Sequence, residues 1–298
     1  MPAVRRPTSH VLRSRPAALA AWRAEAAART VVPRAKTIPL LQIDAFTDRP
    51  FAGNPAAVCL LDGPADPAWM QHVAREMNLS ETAFVHSERD AFRLRWFTPA
   101  VEVELCGHAT VATSHALWET GRLPRTAAAR YETLSGRLGA VWRDGWIELD
   151  FPSLPPQEVV PPAGLVEALG ARPTWVGRSR FDALLEVAGE AELRALAPDF
   201  RALGQVPVRG AIVTARSDDP RFDFVSRFFA PAAGVSEDPV TGSAHSVLAP
   251  YWAAKLGRPA LTGFQASARG GVVRVRVEGE RVAIGGQAVT VLTGELRA

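Results

Sequence analysis

The sequence repeats itself. Arg95-Trp96-Phe97-Thr98-Pro99 resembles Arg227-Phe228-Phe229-Ala230-Pro231, 132 positions on. Gly107-His108-Ala109-Thr110-Val111-Ala112 opens a helical stretch, as Gly242-Ser243-Ala244 does. Ser135-Gly136-Arg137-Leu138-Gly139-Ala140-Val141 resembles Ser267-Ala268-Arg269-Gly270-Gly271-Val272-Val273, again 132 apart. Three matches in one order indicate an internal duplication. A duplicated chain predicts two similar domains facing each other. Each supplies one helix N-terminus to a shared cleft, and clefts between domains are where small ligands bind.

The local pattern fits that division. Leu40 to Phe46 and Pro55 to Leu61 are strands joined by a turn rich in Asp, Pro and Gly. Asp66-Pro67 starts a helix that runs to about Met77. Strands follow over Glu81 to Val85 and Phe92 to Phe97, then a helix from Gly107 that ends before Gly121. Leu138 to Trp142 and Trp146 to Phe151 flank an Asp144-Gly145 turn. Pro152 to Pro162 holds five prolines and reads as a linker. Beyond it come a short helix at 163–169, strands at 174–178 and 183–188, a helix at 190–196 and strands from Ala211 and Phe224. A mostly apolar helix runs from Ser246 to Gly257. Val272 to Val277, Arg281 to Ile284 and Gln287 to Leu292 finish as antiparallel strands. The expected domains are residues 37–151 and 163–298, behind an extension at 1–36.

Composition bounds the class. A chain that is 47% hydrophobic and 22% charged can bury a large core. It has no stretch of some 18 apolar residues, so no membrane helix is expected. The formal charge of +3 belongs to the extension, where residues 1–36 carry a net +7. The remainder is mildly acidic and has no basic stripe for nucleic acid. The extension reads as a flexible tail or an over-called start rather than a transit peptide, with residues 16–29 as a short helix behind Ser14. Two cysteines, Cys59 and Cys106, suggest neither a disulfide framework nor a zinc site, and a cytoplasmic setting is expected. No dinucleotide or phosphate-loop signature occurs, so no cofactor and no metal are expected.

The chemistry concentrates in a few places. Glu237-Asp238-Pro239-Val240-Thr241-Gly242-Ser243-Ala244-His245 is a polar turn between apolar segments. A helix opening at such a turn leaves backbone N–H groups aimed at a ligand, with an acid beside them. Glu81 stands at a helix-to-strand junction among Leu79, Ala83, Phe84 and Val85. Desolvation there raises a carboxyl pKa toward that of a general acid/base. His108 follows Gly107 at a helix start, where the dipole favours neutral imidazole. Each residue also has a plainer reading, as a solvated loop acid, a surface histidine, an Asp-Pro turn or a capping serine.

Four motifs in order resemble the PhzF-like isomerase family of phenazine biosynthesis. They are Ile43-Asp44-Ala45-Phe46 with Gly53-Asn54-Pro55-Ala56-Ala57-Val58, Met77-Asn78-Leu79-Ser80-Glu81-Thr82-Ala83-Phe84-Val85, Leu105-Cys106-Gly107-His108-Ala109-Thr110, and Glu237-Asp238-Pro239-Val240-Thr241-Gly242-Ser243-Ala244. The resemblance implies an α/β (α+β) fold like that of diaminopimelate epimerase. Its two pseudo-symmetric domains each curl a mostly antiparallel sheet around a central helix. It also implies a cofactor-independent proton shift within a small carboxylated substrate, and a homodimer. Glu81, His108 and Asp238 match the family's catalytic residues, and Ser80, Gly107, Gly242 and Ser243 its substrate-binding ones. Cys106 departs from the phenazine enzyme itself, which has a small residue there. A two-base amino-acid epimerase and a catalytically silent binding protein remain the alternative readings of this fold.

Overall fold

The computed structural model describes residues 37–297, so the expected helix at 16–29 lies outside the described residues. Ile38–Leu296 form one compact unit. The first half contains β1 (Thr37–Ala45), β2 (Asn54–Leu60), α1 (Pro67–Met77), β3 (Glu81–Glu88), β4 (Ala91–Phe97), β5 (Glu102–Val103), α2 (Gly107–Glu119), β6 (Ala129–Thr133), β7 (Gly136–Arg143) and β8 (Trp146–Pro152). After the short β9 (Gln157–Glu158), the second half contains α3 (Leu165–Leu169), β10 (Pro173–Arg178), β11 (Ala183–Val187), α4 (Glu190–Ala195), α5 (Phe200–Leu203), β12 (Ala211–Arg216) and β13 (Phe224–Phe229). It closes with a 3-10 turn (Pro231–Ala233), α6 (Gly242–Leu256), β14 (Ala260–Gln265), β15 (Gly271–Glu278), β16 (Arg281–Gly286) and β17 (Ala288–Arg297).

The strand pairing repeats. In the first half β1–β2 is antiparallel, β2–β3 parallel, β3–β4 antiparallel, β4–β6 parallel, and β6–β7 and β7–β8 antiparallel. The second half follows the same order of senses through β10, β11, β12, β13, β14, β15 and β16. The fold is therefore α+β, a mostly antiparallel mixed sheet around buried helices. The register fixes which residues correspond. Thr82 faces Phe97 as Ala211 faces Phe229, and Phe92 faces Tyr131 as Phe224 faces Gly263, with an offset of 132 along β4 and β6 and of 129 along β3. After the β6–β7 and β14–β15 turns the offset becomes 135, because residues 266–270 replace the two-residue turn at 134–135. The Ser135–Val141 match to Ser267–Val273 is thus correct in kind and wrong by three residues.

The halves meet where the repeat pairs with itself. β8 and β16 are equivalent strands, and they run antiparallel with Leu149 facing its own counterpart, Ile284. A local pseudo-twofold axis passes between them. The core packs on one face of that strand pair through Ile147, Leu149, Val282 and Ile284. α2 is buried from His108 to Trp118, so its small polar residues satisfy themselves along the helix. Thr110, Thr113 and Ser114 hydroxyls donate to the carbonyls of Cys106, Ala109 and Thr110 at 2.5, 2.7 and 2.8 Å. Among the described residues no helix is long and apolar enough to cross a membrane.

Candidate active site

Local signals place each site residue. Asp66 caps α1 through a bond from Ala68 N–H, and Pro67 follows at the first helical position. Asn78, in the left-handed conformation at φ 49°, ends the helix. The chain then turns through Ser80 so that Glu81 opens β3. On the other side, α2 and α6 begin at Gly107 and Gly242 without a side-chain cap hydrogen bond from Cys106 or Thr241. The two helix starts touch. A Cβ on Gly107 would lie 3.3 Å from Gly242 Cα, and one on Gly242 would lie 3.4 Å from Gly107 Cα. Glycine at both positions lets the backbones approach without a side chain crowding either one.

A cavity of about 250 Å³ lies at that junction. Ser80, Glu81, Gly107, His108, Asp238, Gly242 and Ser243, the seven residues singled out by sequence, all line it. Cys106, Thr241 and Arg209 line it too, beside an apolar wall that includes Val103, Leu105, Phe228 and Val235.

Burial sets the protonation states. Desolvation raises Glu81 to about 7, with the charge of Asp238 adding to it and a hydrogen bond with the Cys106 thiol opposing it. Desolvation also raises Asp238 to about 6, against the stabilising bonds from Thr241 and Asn54. His108 falls to about 3 through burial, so its imidazole is neutral, as the helix start also favours. Its Nε2 lies 3.3 Å from Glu81 Oε2 but lacks hydrogen-bond alignment, so that buried nitrogen has no hydrogen-bond partner. Cys106 Sγ lies 3.5 Å from His108 Nδ1. Burial and the neighbouring Glu81 hold the thiol well above its usual range, so it stays protonated. The sequence offered no ligand cluster, yet the donor atoms of Glu81, Cys106 and His108 lie within 4.8 Å of one another.

Asp238 is held from both halves. Asn54 Nδ2 donates to its Oδ1 at 2.8 Å and to Val240 O at 3.0 Å. Thr241 Oγ1 donates to its Oδ2 at 2.5 Å. Gln265 Nε2 donates to Asp238 O at 2.7 Å while its Oε1 accepts from Thr241 N–H at 2.9 Å. Asn54 is itself positioned by Arg269, which donates to Gly53 O, Ala52 O and the buried carboxylate of Asp44. Sequence reasoning quoted Asn54 and Thr241 only as motif letters and missed Gln265 and Arg209. The other acid of the pair, Glu237, faces away and accepts a fork from Arg227 at 2.7 and 2.9 Å.

Comparison with known proteins shows the family. The model of the phenazine biosynthesis-like protein family matches residues 43–294. An uncharacterised isomerase of Halalkalibacterium halodurans is 52% identical over 261 residues, spanning 87% of this chain and 98% of its own. A crystal structure of a PhzF-family phenazine biosynthesis protein from Enterococcus faecalis superposes with a TM-score of 0.85 at 38% identity, covering 88% of this chain and all of its own. A probable proline racemase from Agrobacterium radiobacter K84 shares the fold alone, with a TM-score of 0.58, 15% identity and coverage of 87% and 93%. The chain belongs to the phenazine biosynthesis-like, or PhzC-PhzF, protein family.

Proposed function

We propose that the protein is a cofactor-independent isomerase that moves a proton within a small, conjugated carboxylated substrate. The observation that carries this reading is Glu81, a carboxyl held near pH 7 in a cavity built at two helix N-termini. A group with that pKa can both take and return a proton at neutral pH. Ionised Glu81 removes a C–H proton, and the electron pair enters the π-system that includes the substrate's carboxylate. Protonated Glu81 then delivers the proton to another carbon of the same system. One C–H bond breaks and one forms, with no net oxidation. Neutral His108 orients the substrate beside Glu81. Asp238, fixed by Asn54 and Thr241, holds the complementary protonation state.

The repeat supports a single base over a two-base epimerase. Register makes Gly210 the counterpart of Glu81. Thr241 is the counterpart of Cys106, each being the residue before its helix. Cys59 is fully buried in β2. The site therefore presents one thiol. The names of the curated relatives support isomerase chemistry at the family level. The test is deuterium uptake from solvent into conjugated carboxylated dienes and enols, followed by mass spectrometry. Wild type should exchange at least one such compound, and Glu81→Gln should not. Exchange that persists in Glu81→Gln moves the proton carrier elsewhere.

A further inference from the structure

Where the first half places Ser80 and Glu81 at the mouth of β3, the second half places Arg209 and Gly210 at the mouth of β12. A Cβ at Gly210 would lie 2.3 Å from the Phe228 ring, so that position carries no side chain and the ring fills its space. Arg209 takes over the wall of the cavity. Its Nε donates to Asp182 Oδ1 at 2.8 Å, and its Nη2 to Asp182 Oδ2. Asp182 is 1% exposed and is fixed in turn by the Ser179 hydroxyl, which accepts from Asp182 N–H at 3.1 Å. The same Nη2 reaches Ser243 Oγ at 3.4 Å, the first-turn serine of α6. Among the described residues Nη1 makes no hydrogen bond. The Phe181 ring, 5.2 Å away, backs the guanidinium.

A buried carboxylate that grips one edge of a guanidinium leaves the other edge rigid and still able to donate. Beside it stand a serine hydroxyl and the open N–H groups of a 15-residue helix. Three anion-seeking devices of different origin thus converge on the second-half side of the cavity. Glu81, a proton carrier that needs a C–H bond rather than an anion, is on the first-half side.

We propose that Arg209, aimed by Asp182, clamps the substrate's carboxylate against Ser243 and the start of α6. The carboxylate end of the substrate then faces the second half and the reacting carbons face Glu81. The wall of Val103, Leu105, Phe228, Ala230 and Val235 takes a flat apolar body between them. The group that Arg209 takes is a carboxylate carried on an apolar body that fits the 250 Å³ cavity. Arg209 binds substrate and Asp182 is a positioning residue. This rests on the reading of the cavity as the seat of a carboxylated substrate, and its test is independent of turnover.

Benzoate and its neutral isostere benzamide serve as probes, titrated calorimetrically into the full-length protein. Wild type should bind benzoate at least about tenfold more tightly than benzamide, the worth of a charge-assisted hydrogen bond. Arg209→Met should lose about 10- to 100-fold of benzoate affinity and leave benzamide unchanged, while Arg209→Lys retains part of the preference. Because Arg209→Met strands the buried Asp182 charge, the double variant Asp182→Asn/Arg209→Met removes both charges and should show the same selective loss in a folded protein. Asp182→Asn alone should weaken benzoate less than Arg209→Met. A benzoate preference untouched in the double variant overturns the clamp, as does a wild type that binds neither probe. Selective loss together with no solvent exchange in any carboxylated diene keeps the clamp and removes the isomerase reading.

Discussion

In the first half, Arg95 forks onto Glu102 at 2.7 Å just ahead of the helix that starts at Gly107. In the second half, Arg227 forks onto Glu237 just ahead of the helix that starts at Gly242. The two ion pairs, the strand order and the meeting glycines are shared equipment. What lies between those landmarks is not shared. Glu81, Cys106 and His108 have Gly210, Thr241 and Ser243 as counterparts, and Asp238 has Val103. The duplication accounts for the scaffold, and its divergence accounts for the chemistry. The cleft carries Glu81 on its first-half wall and Asp238, Arg209 and Ser243 on its second-half wall.

That contrast can be attacked in order of expected effect. Glu81→Gln should cut solvent exchange by about 10²–10⁴. Its counterpart Gly210 has no proton to offer, so an exchange rate unchanged in Glu81→Gln would dissolve the asymmetry. Next come the shared ion pairs. Arg227 is 11% exposed and also donates to Leu193 O and Leu196 O, at 3.3 and 2.8 Å. Arg227→Met should therefore cost about 2–4 kcal/mol in denaturant unfolding, and Arg95→Met about 1 kcal/mol. Equal costs would mean that the second pair gains nothing from its carbonyl partners.

The pH dependence of stability comes third. Glu81 is raised from 4.5 to about 7, so the folded state holds this proton more tightly than the unfolded state does. Stability from this group is fully present below pH 4.5 and is lost as pH rises toward 7. Glu81→Gln should lack that loss, which amounts to at most about 3 kcal/mol at pH 8. Parallel melting curves for the two proteins from pH 4.5 to 8 would show that Glu81 is not desolvated. Gly107→Ala should follow, with exchange reduced about 10- to 100-fold as the helix starts are pushed apart. Gly242→Ala should match it, since the two approaches are nearly equal. Cys106→Ala should have the smallest effect and retain most activity. A fall to the level of Glu81→Gln would replace the carboxylate chemistry with cysteine-based epimerisation.

Much of this was legible in the sequence because its signals are local. Asp66-Pro67 announced α1, and the Asp144-Gly145 turn adopts positive φ at both residues, 48° and 82°, as a tight hairpin requires. The seven cavity residues sit in short motifs beside helix starts, so their neighbourhood could be read from their neighbours. β14 was missed because Ala260 to Gln265 is short and contains Gly263, which weakens any strand pattern. The supporting shell was missed for another reason. Asn54 and Asp238 are 184 residues apart, and Arg209 depends on Asp182 and on the register of β12 against β13. Such partners are set by topology and leave no trace at the residue itself. The three-residue error in the repeat has the same origin, since two turns of unequal length changed the offset within it.

The contact between Gly107 and Gly242 has a mechanical consequence. Main chain lies beside main chain there, with no side chain between the two helix starts. A side chain added at either glycine would therefore crowd the floor of the cleft. The apolar lining residues Val103, Leu105 and Val235 stand on loops and short strands rather than on the helices, so that wall can vary without moving the helix starts.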